Sequence, residues 1–241
     1  MATNKRKAVI SEKREKARRR SEDARLAALQ DFDIFDSEPD VEFEGLVQIA
    51  AHLCDAPIGL IVFSDGNRQW IKASVGWSAP ALKSAASSGQ SILLSQDIQI
   101  LDDSGKDGTF RKTPFYAADK NLRFYVGVPL LAGDCLPLGM LCVLDYKPRS
   151  LKNSQRTALR AVADQVMTLL NRRKDQQRLH SVIDSVPDIF MILAGDGTIG
   201  FLNDQATTFL GCGKAEGIGR HLVEMPVFKG EPALASKFSE V

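Results

Sequence analysis

The stretch Arg123-Phe124-Tyr125-Val126-Gly127-Val128-Pro129-Leu130, followed beyond Gly133-Asp134 by Leu138-Gly139-Met140-Leu141-Cys142-Val143-Leu144-Asp145, decides the fold. Two runs rich in β-branched, aromatic and aliphatic residues with turn chemistry between them read as a hairpin. An earlier pair has the same form. Ile58-Gly59-Leu60-Ile61-Val62-Phe63 is apolar on both faces, as a strand covered on both sides is. Ser64-Asp65-Gly66-Asn67 is turn chemistry, and Gln69–Val75 reads as the returning strand. Two hairpins separated by helical or loop material predict an antiparallel sheet with helices on its faces, an α+β domain.

Upstream of the first hairpin, Phe43, Leu46, Val47, Ala50, Ala51 and Cys54 recur at helical spacing from about Val41, and Pro57 stops the helix. The stretch around Ser37-Glu38-Pro39 before it is irregular. Between the hairpins, residues 79–94 read as a helix or loop of small residues, and Ile98–Leu101 as a short strand closed by Asp102-Asp103-Ser104-Gly105. Arg111–Ala118 reads as irregular. After the second hairpin a long helix is predicted from near Ser150 to Pro187. Taking Leu159 as heptad position a places Val162 at d, Val166 at a and Leu169 at d. Arg173, Gln176 and His180 then make the middle polar before Ile183. That seam predicts a parallel dimer with a soft joint; the same spacing also fits one amphipathic helix lying on its own sheet. A second αβ unit follows: strands Asp188–Leu193 and Thr198–Leu202 around Gly195-Asp196-Gly197, then a helix over about 204–210.

Composition excludes several classes. Across 241 residues, 44% apolar and 25% charged residues are average for globular chains and argue against wholesale disorder. No apolar stretch approaches the roughly 20 residues of a membrane-spanning helix, and no secretory leader is visible, so a cytoplasmic location is expected. Cys54, Cys135, Cys142 and Cys212 include no Cys-x-x-Cys pair, so zinc-finger and redox-motif readings fail. Residues 1–20 hold nine Lys/Arg against Glu12 and Glu15, a net +7; the chain carries +1, so the remainder carries −6. Such an arm suits nucleic acid or an anionic surface, but no aromatic is interleaved for base stacking, and a solvated arm is the plainer reading. No phosphate loop and no Gly-x-Ser-x-Gly elbow occurs. His180 is followed by Ser181 rather than an acidic residue, unlike a phosphoacceptor histidine, and His52 and His221 are too isolated to suggest a metal site. No catalytic residue is assigned.

From Phe35 to about Arg172 the chain resembles a GAF domain of bacterial sensor proteins. The resemblance is carried by Asn67-Arg68-Gln69-Trp70-Ile71-Lys72 with Val75-Gly76, by Arg123–Leu130, and by Leu138–Asp145 with Pro148-Arg149. It implies a small-molecule pocket between the sheet and its covering loops, and dimerisation through flanking helices. Ser84-Ala85-Ala86-Ser87-Ser88-Gly89-Gln90 stands where relatives often carry Phe-Cys-x-His, so ligand identity does not carry over. Neither a Cys–His pair for a bilin nor the Asn-Lys-Phe-Asp-Glu pattern of cyclic-nucleotide binders is present, and the cofactor is left open. Residues 180–225 resemble the first half of a PAS domain through Val182–Asp188, the turn at Gly197, and Asn203-Asp204-Gln205-Ala206. The expected organisation is a basic arm (1–24), a GAF-like domain (25–150), a signalling helix (151–186) and a partial PAS-like unit (187–241). The expected partners are a second copy, a small molecule, and a downstream output domain or response regulator of a two-component system.

Five residues are candidates for ligand contact: Trp70, Lys72, Arg123, Tyr125 and Cys142. Strict alternation puts Trp70, Lys72 and Ser74 on one strand face, opposite Ile71, Ala73 and Val75. Trp70 is expected to matter more than Trp77, which follows Gly76 at the strand's exit. Arg123 and Tyr125 share a face opposite Phe124 and Val126; Arg123 is placed to pair either with an anionic ligand or with a structural carboxylate. Cys142 alternates with Met140 and Leu144, which fits core packing or a ligand-facing thiol. A Cys135–Cys142 bridge within the hairpin is left open.

Overall fold

The computed structural model describes residues 20–34, 40–65, 69–77 and 95–228. The basic arm up to residue 19, the small-residue segment 78–94 and the Ser37-Glu38-Pro39 stretch lie outside them. The chain divides into two units, Met1–Arg172 and Arg173–Val241.

In the first unit the five strands form one antiparallel sheet in the order β2-β1-β5-β4-β3. They are β1 (Ile58–Ser64), β2 (Gln69–Val75), β3 (Gln99–Leu101), β4 (Phe124–Ala132) and β5 (Leu136–Asp145). β1 and β5, the most continuously apolar runs, lie inside the sheet, and β1 is buried along its whole length. Helix α1 (described over 20–30) and α2 (Val41–Leu53) cover one face. Asp40 caps α2 by accepting from the Glu42 amide, and at its other end Ala56 N–H returns to the Ala51 carbonyl before Pro57 opens the strand. Gly59 is needed where α2 crosses β1, since a Cβ there would sit 2.8 Å from Val47 Cγ1. Buried Arg25 ties α1 to the end of β1 by donating to the Ser64 carbonyl at 2.5 Å while gripping Glu22.

The same face takes the first part of the long helix α4 (Asn153–Asp184). Gln155 accepts from the Lys152 amide at the start of α4 and donates to the Leu53 carbonyl at the end of α2. Leu159, Val162 and Val166, expected along a seam against a second copy, are instead buried in this unit's own core with Ala163, Met167 and Leu170; Leu169 lies half-buried at its margin. A helix resting on a sheet needs one apolar stripe, and over three turns that stripe has the same spacing as a heptad seam. Removing these side chains from water within one chain leaves no such seam to offer a partner.

The sheet's other face is covered by the connection between β3 and β4. Expected to be irregular, Arg111–Ala118 contains a short helix α3 (Pro114–Ala118), with single 3₁₀ turns at Ser104–Lys106 and Phe110–Lys112 before it. Pro114 occupies the first turn and Thr113 caps it, which is the local chemistry that starts a helix here.

The second unit holds the hairpin β6 (Met191–Leu193) and β7 (Ile199–Leu202), then α5 (Asp204–Leu210) and α6 (Lys214–Gly217). Its core is Ile199, Leu202, Ala206, Leu210, Leu222, Met225 and Phe228. Asn203, fully buried, ties it together: its carbonyl oxygen accepts from the Phe190 and Ala206 amides, and its amide donates to the Ile183 and Asp188 carbonyls. His180 stacks on Phe201 with 5.5 Å between ring centroids.

Candidate ligand-binding site

A β-bulge determines which side chains look which way. Across β1 and β2, Ile61 pairs with Ala73 but Val62 pairs with Ile71, so Lys72 is an extra residue. The alternation read from sequence therefore fails at Lys72. Trp70, Ala73 and Val75 share the helix-covered face, and Ile71 faces the other. Lys72 is also turned to the helices, with its ammonium 5.5 Å from the centre of the Phe43 ring. Trp70 lies opposite Phe63, and its indole N–H is buried with no hydrogen-bond partner among the described residues.

Tyr125 and Cys142 sit on the opposite face, fully buried among Ile58, Leu60, Val62, Met140 and Leu144. Their polar atoms meet, Tyr125 Oη to Cys142 Sγ at 3.8 Å. Room for the hydroxyl comes from Gly127: a Cβ there would lie 2.2 Å from Tyr125 Oη and 2.8 Å from Met140 Cε. Aromatic rings from the covering segment close over the pair. Phe110 and Phe115 stand 5.1 and 5.9 Å from the Tyr125 ring, and Trp77 stands 6.2 Å from Phe115. Apolar and aromatic side chains surround the pair in this niche: Ile58, Leu60, Val62, Phe110, Phe115 and Met140. Burial raises the Tyr125 phenol well above its ordinary value and pushes the Cys142 thiol up to about 12, so both stay protonated at neutral pH. Cys142 is thus a packed thiol rather than a nucleophile.

The five candidates do not form one cluster: Trp70 and Lys72 lie on the helix side, Tyr125 and Cys142 on the niche side. Arg123 stands at the foot of the cover. Its guanidinium takes Asp103 in a two-pronged pair at 2.7 and 2.9 Å, and the Ser104 amide donates to the Arg123 carbonyl at 2.6 Å. The structural carboxylate is therefore the partner of Arg123, and the pair fastens the cover to β4. Arg123 and Lys106 together hold the Asp103 carboxyl well below the usual range. Asp107 accepts from the Thr109 and Phe110 amides and fixes the turn that presents Phe110.

Of the two tryptophans, Trp77 packs on the Tyr125 side of the sheet and Trp70 on the helix side. Trp77, Phe110, Phe115 and Tyr116 were not legible as site residues, although Phe110, Phe115 and Tyr116 cluster in a stretch with no strand or helix period. Cys135 lies exposed in the hairpin turn while Cys142 faces Gly127 in mid-sheet, and all four cysteines are free, so the Cys135–Cys142 bridge is not formed. Among the described residues no group of three or more His, Cys, Asp or Glu is placed to hold a metal ion.

Residues 38–170 match the profile of the GAF domain. Over 128 residues the chain is 31% identical to a cyclic di-GMP phosphodiesterase of Pseudomonas aeruginosa, a match spanning 53% of this chain and 22% of that enzyme. Among solved structures, a domain described as that of a two-component sensor histidine kinase from Sinorhizobium meliloti shares 12% identity at a TM-score of 0.48, covering 57% of this chain and 94% of that domain. The GAF domain of an Acinetobacter phosphoenolpyruvate-protein phosphotransferase shares 16% at a TM-score of 0.45, covering 62% and 92%.

Proposed function

The chain belongs to the GAF domain family, and on that premise we propose that it is a sensory input module of bacterial signal transduction. It binds a small ligand in the niche around Tyr125 and Cys142 and passes the effect along α4 to an output. The apolar and aromatic surroundings of the pair suit a neutral, flat or aliphatic molecule, since a buried charge without a partner is expensive.

One observation carries this reading: β5 alternates between the two sides of the sheet. Met140, Cys142 and Leu144 face the niche, while Leu141 and Val143 face the core that holds Leu159, Val162 and Val166 of α4. A ligand that displaces Tyr125 or Cys142 shifts a strand whose other face belongs to the same core as the helix. Interiors are close-packed, so such a shift is transmitted rather than absorbed.

The chain spans less than a quarter of the phosphodiesterase it matches. The output in this reading is a catalytic domain such as a phosphodiesterase, cyclase or histidine kinase, or a response regulator, and these residues carry no catalysis themselves. Autophosphorylation of this chain by ATP would refute that part. Residues 180–225 are read as the first half of a PAS domain, a reading supported by the β6–β7 hairpin and by Asn203 joining it to α5. No helix among the described residues is long and apolar enough to cross a membrane. We place the module in the cytoplasm, where its four thiols stay reduced.

The test is native mass spectrometry of the protein purified from its own host, followed by thermal unfolding with the recovered compound. At a hundredfold excess over Kd a bound ligand adds about 2.7 kcal/mol, a rise in Tm of about 5 °C or more for a unit of this size. Phe115→Ala is expected to abolish that rise. A protein with nothing bound and no response to metabolite mixtures would favour an interaction module with a filled niche.

A further inference from the structure

β3 ends the order of strands in the sheet, and its register puts one polar side chain beside the niche. Gln99 pairs with Gly127, Ile100 with Val126 and Leu101 with Tyr125. Leu101 packs with the Tyr125 cluster and Ile100 with the helix-side core, so Gln99, two residues from Leu101, stands on the Tyr125 side. On its other flank Gly127 pairs with Cys142. Gln99, Gly127 and Cys142 therefore form one row across three strands, with neighbouring strands about 4.8 Å apart. The Tyr125 hydroxyl lies above the middle of that row, since a Cβ on Gly127 would fall 2.2 Å from it. Two groups in the row are poorly served. Gln99 Oε1 is buried and accepts no hydrogen bond among the described residues. Tyr125, fully buried, has the Cys142 sulfur at 3.8 Å, and sulfur is a weak acceptor. A buried acceptor left empty is destabilising, yet a glutamine stands here rather than an apolar residue of the same length.

We propose, on the premise that the niche is a ligand site, that Gln99 and Tyr125 select its ligand: a neutral, largely apolar molecule that presents an N–H and a C=O side by side, as a carboxamide or lactam does. The N–H donates to Gln99 Oε1, and the C=O accepts from the Tyr125 hydroxyl. The two protein groups reach in from adjacent strands, which matches the short spacing of donor and acceptor on an amide edge. A carboxylate brings no donor to Gln99 and must shed its hydration among apolar side chains. A hydrocarbon fills space and leaves both groups empty. A site that offers hydrogen bonds rejects an analogue lacking its half of them more strongly than an apolar pocket rejects a misfit of shape.

Probes built on one benzene ring test it: benzamide, its isostere acetophenone (which keeps the C=O and lacks the N–H), benzoate and toluene. Each is titrated to millimolar concentration into the full chain, and binding is read from the NMR signal of the Met140 methyl, which lies beside Gly127. Benzamide is expected to bind at least tenfold more tightly than acetophenone, and benzoate to leave the signal unmoved. Gln99→Met keeps the length of the side chain and removes its polar end. It should abolish the preference for benzamide over acetophenone, leave toluene binding unchanged, and give a ligand-free Tm equal to the parent's or higher. Tyr125→Phe should weaken benzamide and acetophenone alike. Equal affinity of the parent for benzamide and acetophenone, a preference that survives Gln99→Met, or a Gln99→Met protein less stable than the parent overturns the selection and leaves the niche standing as a ligand site. A Met140 methyl that no probe moves, toluene included, removes the ligand site itself and the selection with it.

Discussion

Gly127→Ala tests whether the Tyr125 hydroxyl is packed against bare backbone. The new Cβ would lie 2.2 Å from Tyr125 Oη, 2.8 Å from Cζ of the same ring and 2.8 Å from Met140 Cε. Both neighbours are fully buried and cannot retreat into water. Forcing a methyl into a filled core costs about 1–3 kcal/mol, and alanine recovers about 0.5–1 kcal/mol of backbone entropy in a strand. An approach of 2.2 Å calls for the upper half of that cost, so the net destabilisation is about 1–2.5 kcal/mol, a fall in Tm of about 2–10 °C for a unit of this size. Tyr125→Phe removes the closest clash, so the double variant should be less destabilised than the two singles added together, by at least about 0.5 kcal/mol. Urea titration followed by circular dichroism measures all three, with the m-value unchanged if only stability is altered. Gly127→Ala as stable as the parent, or strict additivity with Tyr125→Phe, would refute the packing argument.

Val166→Asp places a carboxylate at a position with no exposure; an uncompensated buried charge costs about 3–5 kcal/mol, and a variant with near-parental Tm would show that α4 does not rest on this sheet. Asn203→Ala removes four hydrogen bonds from the second unit; at roughly 1 kcal/mol each for a net loss, and more where a partner is left unsatisfied, amides of residues 190–210 should lose protection from hydrogen exchange while β4 and β5 keep theirs. The Asp103 carboxyl is held low by Arg123 and Lys106. A lowered folded-state pKa means that its contribution is complete above the unfolded value of about 3.9 and is lost as pH falls below it. Exchange protection of residues 104–116 should accordingly fail on acidification before that of β5, and Arg123→Gln should remove the difference. In native labelling with a thiol reagent, exposed Cys135 should react at once and Cys142 only at the rate of unfolding; fast labelling of Cys142 would mean that the niche is open to water.

The strands were legible because burial on both faces writes itself as continuous apolar runs, and β1 and β5 are such runs. What sits over them was not. Phe110, Phe115 and Tyr116 reach the niche from single turns held by Asp107, Thr113 and the Arg123–Asp103 pair, contacts that span up to twenty residues and leave no period in the sequence. The buried stripe of α4 was legible as a stripe but not as to what covers it, since Leu159, Val162 and Val166 satisfy a sheet as well as a second helix. Trp70 and Lys72 were assigned by alternation, which holds only while both strands of a pair advance one residue at a time.

That last condition bears on how this sequence should be compared with others. With Lys72 removed, Ile71 and Ala73 become neighbours, already facing opposite sides and already paired with Val62 and Ile61. A chain one residue shorter at this point would therefore keep every other side chain of β2 in its place. It would give up the ammonium over Phe43. An alignment gap opened at position 72 then marks a local difference in strand length and no change of fold. An ungapped alignment to a shorter relative would instead exchange the inward and outward residues of one end of the strand.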